Sequence, residues 1–518
     1  MQDTSTRQTL INVGSGVIVT VVYALVGFFL SPFIVRSMGE ESNGFTQLAG
    51  NFVMYATLFS NAYNSMGGRF MSVSYHRSNI DDTRKIYSSI LICNILMVLL
   101  LLLPSLCFVV DIGQYVNIET ANSFDVKILF ACTFLHFFIG QFSSVLTTSV
   151  YVRNRMYVLN IVRLLMTVLN ALLLLALFSF LPPHIYYVSI VSLLLSVITI
   201  PYYYYLKKKL LPSVRFSMSY FDLSKVVELL KSGIWNTINQ GGHILMTGCD
   251  LLIANLFISP VSMGVLAVSK TVPALIIQLA STLNSNVSPS IIIRWSQDNC
   301  KEVLLELKRN MMISSILVAT PIVTFCGFSY EFYQLWMPSL DARKLALLSF
   351  LACLPFIPMA GPQTLYNVFT AANKLKVNSI SFILVGLLNI ILVYWYLSSG
   401  YTGGIYAVAG ISSGLTVIRN MTITIPYTAR ILNLKWYVFY KDVLLSLLCC
   451  AVNLVVVLLV KSMVPLSNMA CLLSVAFMTA ALAMMVECFV VMKVGEREIL
   501  YQRILSLKKR LVNHRYGR

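Results

Sequence analysis

The charged side chains inside long apolar stretches of this chain include Arg163, Asp250, Lys270, Arg419 and Glu487. A charge in hydrocarbon is costly, so each calls for a partner, water or a function. Asp250 sits about eight residues from one end of its stretch and Lys270 about seven residues into the next, so at 1.5 Å per residue they reach similar depth. That geometry serves either an ion pair joining adjacent helices or a shared binding site. Asn236, Asn239, Gln240, His243, Thr247 and Asp250 recur at spacings of three and four, which puts them on one helix face. Lys270, Gln278, Ser281, Asn284 and Ser288 continue the pattern, and Gln47, Asn51, Tyr55, Ser65 and Arg69 form a similar row earlier on. A lipid-facing helix does not carry such rows, because each unsatisfied polar group there costs energy. His243 is either a proton-sensitive group or a helix-to-helix hydrogen-bonding residue. Arg163 is long enough to snorkel to the surface, and Glu487, four residues from the end of its stretch, reads as interfacial. The buried balance is cationic, with Arg36 and Arg69 adding to it at stretch ends. Such a site favours an anion, phosphate above all, and argues against an exporter of cations, whose cavity should be acidic.

Signatures of catalysis are missing. There is no HExxH, P-loop or Gly-x-Ser-x-Gly, and Gly14-Ser15-Gly16 is a lone fragment inside an apolar run. The eleven cysteines form no CxxC pair, so neither a zinc site nor a disulfide framework is expected. No catalytic residue, metal or cofactor is expected.

The elements that must position these residues are membrane helices. The chain is 58% hydrophobic and 11% charged, with a mean hydropathy of +0.78, whereas a soluble protein carries roughly a quarter charged residues. Apolar stretches long enough to span a bilayer cover roughly 10–35, 43–67, 87–110, 127–150, 157–181, 184–206, 233–258, 263–290, 311–335, 345–370, 377–398, 403–428, 443–460 and 467–491. The fold class is therefore all-α, a polytopic membrane protein of about fourteen spans. With the N-terminus inside, inner segments hold 30 of the 38 Lys and Arg, which predicts both termini on the cytoplasmic side. The charge of +18 is thus a matter of topology, and no nucleic acid is expected as a partner. No cleavable signal peptide is read at the start. Two inner segments read as amphipathic helices on an anionic leaflet. One is Asp222–Lys231, with Leu223, Val226, Val227 and Leu230 on one face, Asp222 as N-cap and Gly233 beyond its end. The other is the basic tail from Glu496, with Leu500, Ile504, Leu507 and Leu511.

The sequence also repeats. Asn154-Arg155-Met156-Tyr157-Val158 and Asn373-Lys374-Leu375-Lys376-Val377 lie 219 residues apart, as do Leu169-Asn170 and Leu388-Asn389; Gly14 matches Gly233, and Gly44 matches Gly264 within one residue. Thr199-Ile200-Pro201-Tyr202 and Thr424-Ile425-Pro426-Tyr427 close the sixth and twelfth stretches. The reading is two six-helix lobes, 1–206 and 233–428, related by an axis along the membrane normal. Between them lies a cytoplasmic linker, 207–232. A helix pair, 429–491, and a basic tail, 492–518, follow. Polar faces on the second, seventh and eighth stretches are expected to line a water-filled cleft suited to alternating access.

The turn Pro32-Phe33-Ile34-Val35-Arg36-Ser37-Met38-Gly39-Glu40-Glu41-Ser42-Asn43-Gly44 resembles the start of polysaccharide-exporting members of the multidrug/oligosaccharidyl-lipid/polysaccharide exporter superfamily. Arg69, Asp250 and the turn Val261-Ser262-Met263-Gly264-Val265-Leu266 fit the same pattern, although Phe45 and Val265 stand where that turn usually carries Tyr. The resemblance implies a two-lobe flippase of the Wzx type. Such a protein moves an undecaprenyl-diphosphate-linked oligosaccharide from the inner to the outer leaflet of a bacterial cell membrane. On that resemblance Arg69, Lys270, Arg419 and Arg163 hold the diphosphate or acidic sugars. Asn51, Asn239, His243, Asp250 and Asn284 line or gate the path. Membrane lipids, glycosyltransferases and a polysaccharide polymerase are the implied partners. A lipid II flippase would show denser arginine in its first two spans. A cation-coupled drug exporter would show an acid in its first span, which has none here. A membrane-embedded polymerase would need a larger outer loop than 111–126.

Overall fold

The computed structural model describes residues 2–297, 300–464 and 468–491; the predicted basic amphipathic tail, 492–518, lies outside them. Among the described residues the chain is helical throughout, with no strand. The helices run in the order α1 (Gln2–His76), α2 (Ile80–Val110), α3 (Ile112–Tyr115), α4 (Ser123–Val152), α5 (Met156–Phe180), α6 (Tyr187–Leu210), α7 (Leu223–His243), α8 (Asp250–Phe257) and α9 (Pro260–Ser296). There follow α10 (Cys300–Trp336), α11 (Ala342–Cys353), α12 (Phe356–Met359), α13 (Tyr366–Ala371), α14 (Leu375–Ser398), α15 (Gly404–Arg419), α16 (Ile425–Ile431), α17 (Tyr440–Met463) and α18 (Met469–Val491). Ten are long and apolar enough to cross a membrane. Their outward faces are greasy: Leu103 is 69% exposed and Phe477 77%, an arrangement suited to lipid and hostile to water.

The first two predicted stretches share α1, bent at Gly39, whose φ of +83° is open only to glycine at low cost. The seventh and twelfth are broken by π turns, Ile244–Gly248 between α7 and α8 and Asn420–Thr424 between α15 and α16. The tenth is a series of short pieces, α11 to α13. None of these three is among the ten, because the breaks, invisible to hydropathy, divide them into shorter or less apolar helices.

One expectation needs correction. Asp222 does cap α7, its carboxylate accepting from the Ser224 amide at 2.9 Å, yet the helix does not stop before Gly233. It runs unbroken to His243. Gly233 is a packing position: a Cβ there would collide with the Ala62 carbonyl of α1.

Two turns 219 residues apart share one backbone conformation. Asn154 and Asn373 both hold left-handed conformations, at φ 54° and 52°, which Asn tolerates better than most residues. The next residues, Arg155 and Lys374, cap α5 and α14 with nearly equal angles. After each turn the helix reaches the first helix of its own copy: Asn160 donates to the Asn12 carbonyl at 3.2 Å, and Ser379 to the Trp235 carbonyl at 3.0 Å.

Packing groups the chain into two compact units. The first comprises Met1–Leu275 and Lys374–Thr416; the second comprises Ile276–Asn373 and Val417–Arg518. In the first, α1 packs on α5 and α7, α4 on α6, and α14 on α7. In the second, α10 carries α11, α17 and α18.

Candidate functional site

The first unit builds its polar interior around the π turn at Ile244–Gly248. Widening the helix there releases carbonyls, which must find other donors in an apolar setting. Asn389 of α14 donates to the Leu245 and Met246 carbonyls at 3.3 and 3.2 Å. Asn51 and Tyr55 of α1 both donate to the Gly248 carbonyl, at 3.0 and 2.6 Å. Gln47 on the same face donates to the Ala267 carbonyl of α9 at 3.1 Å. The row Gln47–Asn51–Tyr55 therefore ties α1 to the broken helix and to α9.

Asp250 opens α8 directly after the π turn and is 1% exposed. Lys270 of α9 donates to its Oδ2, so the equal-depth argument is met by a direct ion pair. The other oxygen, Oδ1, is buried with no protein partner. Asn239 accepts at Oδ1 from Asn378 at 3.1 Å, half-buried. His243 is exposed, with Thr247 bonding back to its carbonyl at 3.1 Å. Arg69 and Arg163 are exposed.

The second unit holds the other buried cation. Arg419, 1% exposed, ends α15 where the second π turn begins. Its guanidinium donates to the Tyr366 hydroxyl at 3.3 Å and to Asn420 Oδ1 at 3.0 Å. Tyr366 and Thr424 also donate to that oxygen, at 2.7 and 3.2 Å. The next residue of α13, Asn367, donates to the Asn284 carbonyl at 3.3 Å. The Asn284 side chain is 8% exposed, and neither its oxygen nor its nitrogen has a protein partner. Arg419 is tied to α13 through Tyr366, and Asn284 to the same short helix through Asn367. A guanidinium and a phenol so placed can recognise phosphate or sugar hydroxyls.

Glu487 departs from its interfacial reading. It is wholly buried, and Thr320 of α10 donates to it at 3.0 Å. Nearness to a helix end measures depth, but α18 turns this side chain toward α10. Sequence reasoning also missed Tyr366, Asn367 and Asn389. The adjacency of Arg419 and Asn420, and the polar pair 366–367 inside an apolar stretch, were the available signals. Among the described residues no group of three metal-ligating side chains converges.

Known proteins were compared with this chain. The polysaccharide biosynthesis protein family matches residues 9–291. The uncharacterized membrane protein EpsK of Bacillus subtilis (strain 168) is 27% identical over 513 residues, covering 96% of this chain and 98% of that protein. Among solved structures, the lipid II flippase MurJ in an inward closed conformation has a TM-score of 0.67 at 15% identity, covering 95% of this chain and 99% of MurJ. An inward-facing MATE multidrug resistance transporter of the MOP superfamily has 0.63 at 12%, covering 85% and 95%. The fold is that shared by MurJ and the MATE transporters, as the resemblance in the opening turn implied.

Proposed function

The chain belongs to the polysaccharide biosynthesis protein family, and from that premise we propose that it flips an undecaprenyl-diphosphate-linked oligosaccharide. The direction is from the inner to the outer leaflet of a bacterial cell membrane, with both termini in the cytoplasm. Two repeat lobes alternate access to the two sides. The observation that supports the reading is Arg419, a guanidinium buried at a helix break inside an apolar stretch. A basic side chain retained there at such cost suits a diphosphate. Lys270, held to Asp250 in this conformation, becomes available to an anion only if that pair exchanges partners. Arg69 and Arg163, exposed, meet the diphosphate on entry. Asn51, Asn239 and His243 shape the path through the first unit. Glycosyltransferases would supply the substrate and a polymerase would consume the product.

The test is leaflet transfer in vesicles containing the purified protein and a fluorescent lipid-linked oligosaccharide. Transfer is expected, and Arg419→Ala should slow it by about a hundredfold, the loss of one buried charge-assisted contact of roughly 3 kcal/mol. Lys270→Ala and Arg69→Ala should slow it less. No transfer, or equal rates in all three variants, overturns the cationic-site reading. Lipid II in the same assay discriminates the alternative: faster flipping of lipid II reassigns the protein to peptidoglycan synthesis.

A further inference from the structure

A groove of about 550 Å³ opens in the second unit where α16 ends and the chain turns toward α17. Tyr427, Arg430, Asn433 and Trp436 line it, and among the described residues its lining includes no carboxylate. Its wall is built by a helix defect. Pro426 brings no N–H into the second π turn, and the Met421 carbonyl accepts instead from the Tyr440 hydroxyl at 2.6 Å. Tyr440 in turn supports Trp436 edge-on, with ring centroids 5.7 Å apart, and Tyr427 rests on Phe369 at 5.6 Å. The aromatic rims are therefore fixed before any ligand arrives. Trp436 is 63% exposed, and Lys435 lies over the Tyr437 ring at 5.9 Å.

The equivalent end of the first repeat copy also shows exposed tyrosines, Tyr202, Tyr204 and Tyr205, followed by Lys207–Lys209. Exposed aromatics with basic neighbours mark the depth of lipid headgroups. A concave groove at that depth, with an arginine and no acid, meets phosphate. We infer that this groove is a headgroup site for an anionic phospholipid of the inner leaflet, with Arg430 on the phosphate and Tyr427 and Trp436 against the glycerol and upper chains. The placement rests on the proposed orientation and not on what the protein flips, so a failed flipping assay leaves it standing.

The test is native mass spectrometry of the full chain, delipidated and titrated with phosphatidylglycerol or with uncharged diacylglycerol. Phosphatidylglycerol should be retained and diacylglycerol should not. Arg430→Gln is expected to weaken retention about tenfold, the loss of one charge-assisted contact, and Trp436→Ala to weaken it independently. Lys209→Gln removes a charge from the matching end of α6 and should retain lipid as the wild type does. Unchanged retention in both Arg430→Gln and Trp436→Ala overturns the site. So does an equal loss in Lys209→Gln, which means general surface charge. Displacement of phosphatidylglycerol by substoichiometric polyprenyl phosphate overturns the phospholipid as occupant.

Discussion

The two ends of the first unit are held in opposite ways. At the Gly44 end, α1 and α9 approach so closely that a Cβ on Gly264 would strike the Glu40 carbonyl, while one on Gly44 would lie 2.9 Å from the Gly264 Cα. Beside this crossing the Glu41 carboxylate, 1% exposed, accepts from the Glu119 and Thr120 amides at 2.9 and 2.7 Å. Asn117 and Asn255 exchange three hydrogen bonds of 2.8–3.0 Å. At the Asp222 end, α2 and α7 are joined by Lys85–Asp222 and Lys225–Asp82, at 3.1 and 2.7 Å, with side chains a fifth to nearly half exposed. One end is closed by backbone contact and part-buried hydrogen bonds to the buried Glu41 and Asn255 side chains. The other is tied by solvated charge. Exposed pairs contribute little because water and salt screen them, so the Gly44 end should hold the unit together far more firmly.

Gly264→Ala should have the largest effect. Its neighbour is backbone and cannot swing away, so an overpacking cost of about 1–3 kcal/mol is expected, read as a lowered thermal midpoint in detergent. A midpoint equal to wild type would show that the helices part freely here. Glu41→Ala comes next, leaving two amides without their acceptor at roughly 2 kcal/mol; proteolysis between residues 116 and 122 should accelerate. Asn255→Ala should cost about 1 kcal/mol and be sub-additive with Asn117→Ala, since the two share their bonds. Additive effects would deny the coupling.

The smallest effects belong to the Asp222 end. The Ser224 hydroxyl and then Lys85 hold the Asp222 carboxyl at about 2, below its usual 3.8. A depressed carboxyl stabilises the fold above its ordinary range and loses that contribution as the pH falls toward 2. Asp222→Asn should therefore lower stability slightly at neutral pH, where the Lys85 and Ser224 contacts to the carboxylate are lost, and flatten the acid limb between about pH 4 and pH 2, while keeping the helix capped, because Asn also caps helices. Salt near 1 M should loosen this end and spare the other; equal sensitivity at both ends would erase the contrast.

Much of this was visible along the chain. The Asp222 cap, the likeness of the Asn154 and Asn373 segments and the equal depth of Asp250 and Lys270 all follow from local residue type and spacing. Glu487 was misjudged because spacing measures height along a helix and not its rotation toward a neighbour. The use of Asn51 and Tyr55 was hidden because their acceptor, the Gly248 carbonyl, exists only where a helix is broken.

The sequence alone determined that the chain lives in a membrane and which charges enter the apolar phase. Composition, periodicity and hydrocarbon thickness dictate those things residue by residue. The tertiary structure decided which polar groups are spent on helix defects and which, like the buried Asn284 amide, find no protein partner. That allocation depends on how closely two backbones approach and how each helix is turned, and neither is encoded in the spacing of one helix by itself.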